Sequence, residues 1–283
     1  MTTEKITLPI EYWNQGPTKI LCPEDENGRI LECAYISSVQ FTGYSRHYPM
    51  PLMYSHRDRK LRLPTIERFM SLGRGTVYEE TMEYDMELCS SWSCCDIPVF
   101  YFAYNTVNYF HFIYDTLPYL YTYFEEKKIH PDLKLLVSPA EGKDDLYPFV
   151  WETLELLGIT RDDVLFLRQD VIYDYVLVGS SLTHGGLSEQ PPHRFTFDII
   201  GRLRGAYKGP ERVYISRRTW VHNNLDNIGT NYTERRRCMN EDQMAQIFSI
   251  YGFKEVFCEN LTMAEKIGIF SSAKYIAGPI GGG

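Results

Sequence analysis

The sequence predicts an α/β protein with two domains, and three observations support this fold class. The 283 residues exceed the usual size of a single domain. Strand-like and helix-like stretches alternate from residue 97 onwards, which is typical of parallel sheets with right-handed crossovers. The alternation is interrupted at 205–210 by G-A-Y-K-G-P, a composition that marks a boundary. We therefore predict an N-terminal domain over 1–207 and a C-terminal domain over 208–283.

The N-terminal domain has two parts with different patterns. Residues 1–95 show short strands and loops punctuated by Pro and Gly, so an irregular, β-rich part is expected. Residues 97–207 are expected to be α/β. The predicted elements of this second part are a strand over Ile97–Tyr104, a helix over Thr106–Lys127 kinked at Pro118, a strand over Leu133–Val137, a helix over Leu146–Leu157 ended by Gly158, strands over Val164–Leu167 and Val171–Val178, and a helix over Arg194–Tyr207.

The C-terminal domain continues the alternation. Its predicted elements are a strand over Val213–Ser216, a helix over Asn240–Tyr251, a strand over Lys254–Cys258, a helix over Met263–Ser271 and a strand over Tyr275–Ala277. Asn240 with Gln243, and Thr262 with Glu265, have the spacing of capping boxes at the two helices. The final G-P-I-G-G-G is a glycine turn that normally leads into a helix, so this domain is expected to be truncated.

Composition and charge exclude several classes of function. A net charge of −8 argues against broad nucleic-acid binding, which requires a basic face. No run of about 18 apolar residues is present, so no transmembrane segment is expected. The N-terminus lacks the basic and apolar regions of a signal peptide, which predicts a cytoplasmic protein. The seven cysteines form no zinc pattern, so reduced thiols and no metal are expected.

The segment Asn108–Asp115 reads N-Y-F-H-F-I-Y-D and places three polar side chains among aromatic ones. Asn108, His111 and Asp115 stand at i, i+3 and i+7, positions that share one face of an α-helix. A carboxylate in this setting is costly unless it is paired or used, and an Asp one turn from a His can form a general base. The alternative is an amphipathic helix with buried, hydrogen-bonded polar residues, which spacing alone favours.

A basic cluster stands out in a chain that is acidic overall. Its members are Arg212, Arg217, Arg218, Arg235, Arg236 and Arg237. Arg217 and Arg218 directly follow a predicted strand, and ligands of open α/β sheets bind outside the carboxyl ends of strands. Guanidinium groups match phosphate oxygens, so the cluster predicts a diphosphate ligand. A solvated basic loop is the alternative.

Gly281, Gly282 and Gly283 follow the last predicted strand of the same domain. Successive glycines let a backbone approach a ligand closely, so they are candidates for contact with the same phosphates. The sequence lacks a D-x-D motif and a phosphate-binding loop ending in G-K-S/T. These absences argue against a carboxylate pair for a metal–nucleotide complex and against a kinase or NTPase.

Together these motifs resemble glycosyltransferase family 61, a group of inverting sugar transferases. The family pattern N-x-x-H-x-x-x-D matches Asn108, His111 and Asp115. The second half of the family reads Y-I-S-R, R-R-x-x-N-E, G-F and G-P-H-G-A-G, and it matches Tyr214–Arg217, Arg236–Glu241, Gly252–Phe253 and the terminal G-P-I-G-G-G. The resemblance covers residues 97–283, with Ile280 where the family usually has a His.

The resemblance implies two Rossmann-like domains of the GT-B type around a cleft, the N-terminal half binding the acceptor and the C-terminal half the donor. It implies a nucleotide-diphosphate sugar as co-substrate, with a UDP-sugar favoured, a glycan or polysaccharide as acceptor, and no metal or other cofactor. Asp115 is then the candidate base, with His111 and Asn108 as its catalytic neighbours. The implied donor-binding residues are Arg217, Arg218, Arg236, Arg237, Asn240, Glu241, Gly281, Gly282 and Gly283.

Two other functions stay open from the sequence. The first is a non-catalytic scaffold of the same fold that binds a glycan or a nucleotide, which Ile280 and the incomplete C-terminal end favour. The second is a phosphate-ester hydrolase that uses the arginines with Asp115 and His111. Binding without turnover would indicate the first, and release of inorganic phosphate from simple esters would indicate the second.

Overall fold

A computed structural model describes most of the chain, and the fold is given for these residues only. They are 3–11, 18–25, 29–44, 51–66, 83–89, 92–139, 142–183, 191–203, 208–218 and 238–279. Residues up to 95 form strands β1 Thr3–Glu11, β2 Thr18–Cys22, β3 Leu31–Ile36, β4 Val39–Tyr44, β5 Pro51–Ser55, β6 Lys60–Arg62, β7 Glu83–Cys89 and β8 Ser93–Cys95.

The chain then alternates between strands and helices. The elements are β9 Val99–Tyr101, α1 Tyr109–His111, a π-helix Phe112–Thr116, a 3₁₀-helix Leu117–Tyr119, α2 Leu120–Lys127, β10 Lys134–Val137, α3 Pro148–Leu156, a 3₁₀-helix Arg161–Asp163, β11 Val164–Phe166, β12 Val171–Tyr173, β13 Val176–Gly179, α4 Arg194–Arg202, β14 Arg212–Ile215, α5 Glu241–Ile250, β15 Lys254–Val256, a 3₁₀-helix Cys258–Asn260, α6 Met263–Ser272 and β16 Tyr275–Ala277.

Cα packing divides the chain into two compact units whose segments interleave along the sequence. The first unit comprises Met1–Tyr104, Tyr114–Ser138 and Arg161–Ile199, and the second comprises Asn105–Ile113, Pro139–Thr160 and Ile200–Gly283. The predicted boundary at 207/208, the two GT-B domains and the acceptor and donor roles of the two halves stay predictions.

The first unit contains two sheets with a shared apolar core. One sheet has the strand order β7-β1-β6-β5-β4-β12-β8 and the other the order β11-β10-β9-β13-β3-β2. Side chains from both sheets meet in one cluster, in which Phe41 of β4 stacks on Tyr101 of β9 with ring centroids 5.5 Å apart. β9 is fully buried, as expected for a central strand that reads as a continuous apolar run.

The second of these sheets has a parallel part. β10 pairs in parallel with both β9 and β11, and β13 pairs in parallel with β9. Counted along the chain, these four strands have the order 3-2-1-4, which is the order in the first half of a doubly wound fold. The parallel pairing predicted from the alternation is therefore confirmed for these strands.

One predicted strand is wrong, because Val171–Val178 forms two strands in different sheets. β12 pairs with β4 and β8, whereas β13 pairs with β3 and β9. The chain leaves the first sheet at the exposed Asp174, whose N–H still donates to the carbonyl of Cys95 at 2.9 Å. An apolar run of this length cannot distinguish one long strand from a strand that crosses between packed sheets.

The second unit contains a parallel sheet with the strand order β15-β14-β16. The chain runs from β14 through α5 to β15, and then through α6 to β16 on the opposite side of β14. Counted along the chain the order is 2-1-3, so the strand order reverses between β14 and β16. Ligands of open α/β sheets bind at such a switch point, outside the carboxyl ends of the strands.

Helix α6 begins with the capping box that the sequence predicts. The Thr262 Oγ1 accepts a hydrogen bond from the Glu265 N–H at 3.3 Å, and the Glu265 carboxylate accepts one from the Thr262 N–H at 2.8 Å. The second predicted box is wrong. Asn240 is the N-cap of α5, but its side chain makes no capping hydrogen bond.

We expect Thr262→Ala to lower the free energy of unfolding by about 1 kcal/mol, because it leaves an N-terminal amide of α6 without its acceptor. Urea unfolding measures this loss, and Thr262→Ser should retain the wild-type stability. Hydrogen bonding from the Thr262 backbone lowers the pKa of Glu265. The stabilisation by the Glu265 carboxylate should therefore be complete above the ordinary pKa of Glu, and it should be lost as the pH falls through the lowered pKa of Glu265. An equal loss in the Ala and Ser variants would contradict a role for the hydroxyl.

None of the helices in the described part of the chain combines the length and the apolar character that a membrane span requires.

Candidate functional site

Asn108 has a structural role in the motif that contains it. It is the N-cap of α1, and its side-chain oxygen accepts a hydrogen bond from the His111 N–H at 3.2 Å. The Asn108 N–H in turn donates to the Asn105 side chain at 3.0 Å, and Asn108 is buried. The spacing of Asn108 and His111 is therefore that of an N-cap and the third helical residue, which the cap holds in place.

The helix around Asp115 differs from the prediction. The sequence predicts one α-helix over Thr106–Lys127, but the chain is α-helical only over Tyr109–His111 and Leu120–Lys127. Phe112–Thr116 is a π-helix, whose hydrogen bonds close i to i+5, and the α-helical spacing that predicts a shared face does not apply to Asp115. Pro118 follows in a 3₁₀ turn, where the missing N–H of proline is tolerated.

Asp115 is half-buried, and its Oδ1 atom is shielded from solvent. It is flanked on the chain by side chains that are completely buried, Phe112 on one side and Leu117 on the other. Short π-helical turns occur frequently at functional sites, because they shift a side chain away from its regular helical position. A partly enclosed carboxylate on such a turn has the setting expected of a general base.

Aromatic contacts fix the N-terminal end of this motif within the second unit. The Tyr109 ring meets the Phe149 ring of α3 edge to face, with centroids 5.4 Å apart, and Phe112 meets the same ring at 5.6 Å. Helix α3 also contacts α6, where the Met263 N–H donates to the Glu152 carboxylate at 2.7 Å. Tyr109 and Phe112 are thus packed against α3, which in turn contacts α6.

The carboxyl ends of β14 and β16 lie side by side at the switch point. Tyr214 pairs with Ala277, so the next residues of the two strands leave the sheet together. Gly278 allows this approach, because a Cβ at its position would come within 2.9 Å of the Ile215 Cβ and of the Ile215 carbonyl oxygen. Ser216 and Arg217 follow β14 directly at this edge.

Glu241 holds the chain where it leaves β14. Its buried carboxylate accepts hydrogen bonds from the Arg217 N–H at 2.6 Å, the Ser216 hydroxyl at 3.2 Å and the Tyr214 hydroxyl at 3.5 Å. Burial, reinforced by the Glu241 charge, raises the pKa of Tyr214 to about 12, so this hydroxyl remains a donor. The sequence predicts Glu241 as a donor-binding residue. Its hydrogen bond in the structure holds the backbone of Arg217 in position.

Arg217 and Arg218 differ in what their side chains bind. Arg218 forms surface ion pairs with Asp242 at 2.8 Å and with Glu255, whose carboxylate accepts from the Arg218 Nε at 2.7 Å. Among the described residues, the Arg217 guanidinium has no hydrogen-bonding or ion-pair partner. Within the described part of the chain, the Arg217 side chain at this strand end is therefore available to an anionic ligand.

Comparison with known families decides the class of protein. The model of the family Glycosyltransferase 61 matches residues 109–283. The chain belongs to glycosyltransferase family 61. The resemblance predicted from the motifs is thus confirmed, and membership indicates a glycosyltransferase, which acts on a sugar donor and an acceptor. No curated protein matches the chain.

The family 61 match includes most of the predicted site residues. His111, Asp115, Arg217 and Glu241 lie within it, and Asn108 lies one residue before its start. The predicted donor-binding residues Arg236, Arg237, Gly281, Gly282 and Gly283, together with Ile280, lie outside the described residues. Asn240 lies at the start of α5, where its side-chain oxygen is 3.2 Å from the Cys238 sulfur.

Lys266 belongs to none of the sequence motifs of this glycosyltransferase. Lys266 lies in α6 and its side chain is only 6% exposed, which is rare for a lysine. A signal was present in the sequence. The capping box fixes the start of α6 at Met263, and Lys266 then falls three residues later on the same buried face. Among the described residues, no group of His, Cys, Asp and Glu is placed to hold a metal ion.

Proposed function

We propose that this member of family 61 is an inverting, metal-independent glycosyltransferase that moves a sugar from a nucleotide diphosphate to a glycan or polysaccharide acceptor. One observation carries the proposal. The guanidinium of Arg217, which has no partner among the described residues, lies at the carboxyl end of β14, beside β16 at the switch point of the parallel sheet. A diphosphate is the ligand that this position and this side chain suit best.

In the proposed reaction, the Asp115 carboxylate takes the proton of an acceptor hydroxyl. The acceptor oxygen forms a bond to the anomeric carbon while the bond from that carbon to the diphosphate oxygen breaks. The nucleoside diphosphate leaves with the electron pair, and attack from the face opposite to it inverts the configuration. His111 orients Asp115, and Asn108 holds the backbone of His111.

Arg217 acts on the other reactant in this proposal. Negative charge develops on the leaving diphosphate in the transition state, and a fixed guanidinium stabilises it. Glu241 keeps the Arg217 backbone in position, so little reorganisation is required when the charge develops. Metal independence is supported by the lack of a D-x-D motif in the sequence. The UDP-sugar preference and the cytoplasmic location remain predictions.

The proposal is tested by a thermal-shift screen of the protein against UDP, GDP, CDP and TDP in the presence of EDTA. A ligand that binds only the folded protein raises the Tm, so one nucleotide should stand out and identify the donor class. No shift with any of the four would contradict a nucleotide donor. Binding without transfer to any of a panel of glycan acceptors would favour the non-catalytic scaffold instead.

Arg217→Ala should weaken binding of that nucleotide by about tenfold or more, because a charged hydrogen bond to phosphate is lost. Isothermal titration measures the change. Arg168→Ala is the matched control, since it removes a guanidinium from an exposed ion pair with Asp170. Equal affinities in wild type and Arg217→Ala would remove Arg217 from the site.

A further inference from the structure

Lys266 is a buried cation that has no anionic partner within the described ranges. Its ammonium lies over the ring of Tyr109, 5.0 Å from the centroid. Among the described residues, this ammonium forms no hydrogen bond and no ion pair. Burying a charge in this way is costly, and a cation–π contact with one ring compensates only in part.

Its position is at the edge of the sheet where a ligand is expected. Helix α6 follows β15, so its first turn lies at the carboxyl end of the parallel strands, the same edge at which Arg217 leaves β14. Lys266 is the fourth residue of α6, just beyond the capping box. Lys266 and Arg217, two cations that have no ion-pair partner in the described part of the chain, thus lie at one edge of one sheet.

The position of Cys258 relates the two cations to each other. Cys258 lies at the carboxyl end of β15, between the elements that carry them. Burial raises the pKa of this thiol to about 11, and the positive charges of Lys266 and Arg217 both oppose the rise. Ile215 pairs with Val256, and the Ser216 N–H donates to the Val256 carbonyl at 2.9 Å, so the segments that carry Arg217 and Cys258 leave the sheet side by side.

The acidic groups nearby do not neutralise Lys266. Burial lowers the pKa of Lys266, and the charges of Cys258, Glu152 and Glu259 only partly counter it, none of them forming an ion pair with Lys266. The Glu152 carboxylate already accepts the Met263 N–H at 2.7 Å. A buried lysine in such a setting is suited to binding an anion, which would compensate its charge.

We propose that Lys266 and Arg217 together form a binding site for a diphosphate, with the Tyr109 ring supporting the Lys266 ammonium. The inference rests on the proposed function for the identity of the ligand, which is the diphosphate of the sugar donor and, after transfer, of the leaving nucleotide. Tyr109 directly follows the N-cap Asn108, and its ring contacts the Lys266 ammonium. In this proposal the N-Y-F-H motif therefore supports a side chain that binds the donor.

The test compares wild type, Lys266→Met, Lys266→Gln and Lys254→Met. Lys254 is an exposed lysine on β15 of the same unit, so its substitution removes the same charge without touching the site. Binding of inorganic pyrophosphate and of UDP, GDP, CDP and TDP is measured by isothermal titration, and stability by thermal unfolding. Both Lys266 variants are used so that a packing defect in one does not decide the result.

We expect the Lys266 variants to bind pyrophosphate and the preferred nucleotide about tenfold more weakly or worse, while Lys254→Met binds like wild type. We also expect the Tm of Lys266→Met to be at least that of wild type, because an uncompensated buried charge has been replaced by a side chain of similar volume. A residue that merely supports the fold would give the opposite pair of results: a lower Tm with unchanged affinity.

Each outcome separates the inference from the proposed function. Wild-type affinity in both Lys266 variants would overturn the inference and leave a nucleotide donor in place. Loss of pyrophosphate binding in these variants, in a protein that binds no nucleotide, would support the anion site and contradict the nucleotide donor. A wild-type protein that binds neither pyrophosphate nor any nucleotide would overturn both.

Discussion

Asp115→Asn should lower the rate of sugar transfer by about 10²–10⁴-fold, the usual contribution of a positioned general base. The amide has the size and shape of the carboxylate, so it fits the half-buried position, but it cannot accept the acceptor's proton. Donor affinity should be unchanged, because the substitution removes the chemistry and leaves the cations of the second unit intact. Initial rates at saturating donor measure the first effect, and isothermal titration with the nucleotide measures the second.

The control for this variant is Asp132→Asn, an exposed aspartate in the loop before β10. It makes the same change in charge in a part of the chain without any proposed role, so transfer should continue at the wild-type rate. Loss of donor binding in a folded Asp115→Asn protein would place this residue in the donor site instead. Retention of transfer would show that another group acts as the base, with His111 the first candidate.

Glu241→Ala should produce the second large effect, a loss of about 3 kcal/mol in the free energy of unfolding. The reason is that it leaves the Arg217 N–H and the hydroxyls of Ser216 and Tyr214 without their common acceptor, and each unsatisfied buried group costs about 1–3 kcal/mol. Nucleotide affinity should fall as well, since the backbone of Arg217 loses its anchor. Urea unfolding and isothermal titration measure the two losses.

Two comparisons make this result specific. Glu241→Gln retains an acceptor oxygen and should recover part of both losses. Asp242→Asn, at the next position, affects only an exposed ion pair with Arg218 and should change stability by less than about 1 kcal/mol. Stable Glu241→Ala protein with weak nucleotide binding would indicate direct contact with the donor, as the sequence predicts.

The elements of residues 208–279 could be predicted closely from the sequence. The predicted strand Tyr275–Ala277 has the bounds that the structure shows, and Met263–Ser271 differs from α6 by one residue. These signals are local, because a capping box and a short apolar strand between glycine-containing turns are written in neighbouring residues. The motif residues were found for the same reason, since fixed spacings do not depend on tertiary packing.

Features that depend on contacts between distant residues could not be predicted. The π-helix at Asp115 is not encoded in the 3.6-residue period of that segment, and the crossing of the chain at Asp174 depends on two sheets that pack together. The burial of Lys266 and the anchoring role of Glu241 require partners from other segments. The sequence around a charged residue does not indicate whether its partner in the folded protein is a cation, a backbone amide or a ligand.

The interleaved chain of the second unit has a consequence for how the protein is made. The hydrogen bond between Glu152 and Met263 joins residues 111 positions apart. At a synthesis rate of about 5–20 residues per second, α3 leaves the ribosome about 6–22 s before α6 can join it. During that interval Phe149 and Leu154, which are fully buried in the native protein, lack this neighbour. The segment around His111 is thus translated early, but Tyr109 can contact Lys266 only after α6 has emerged.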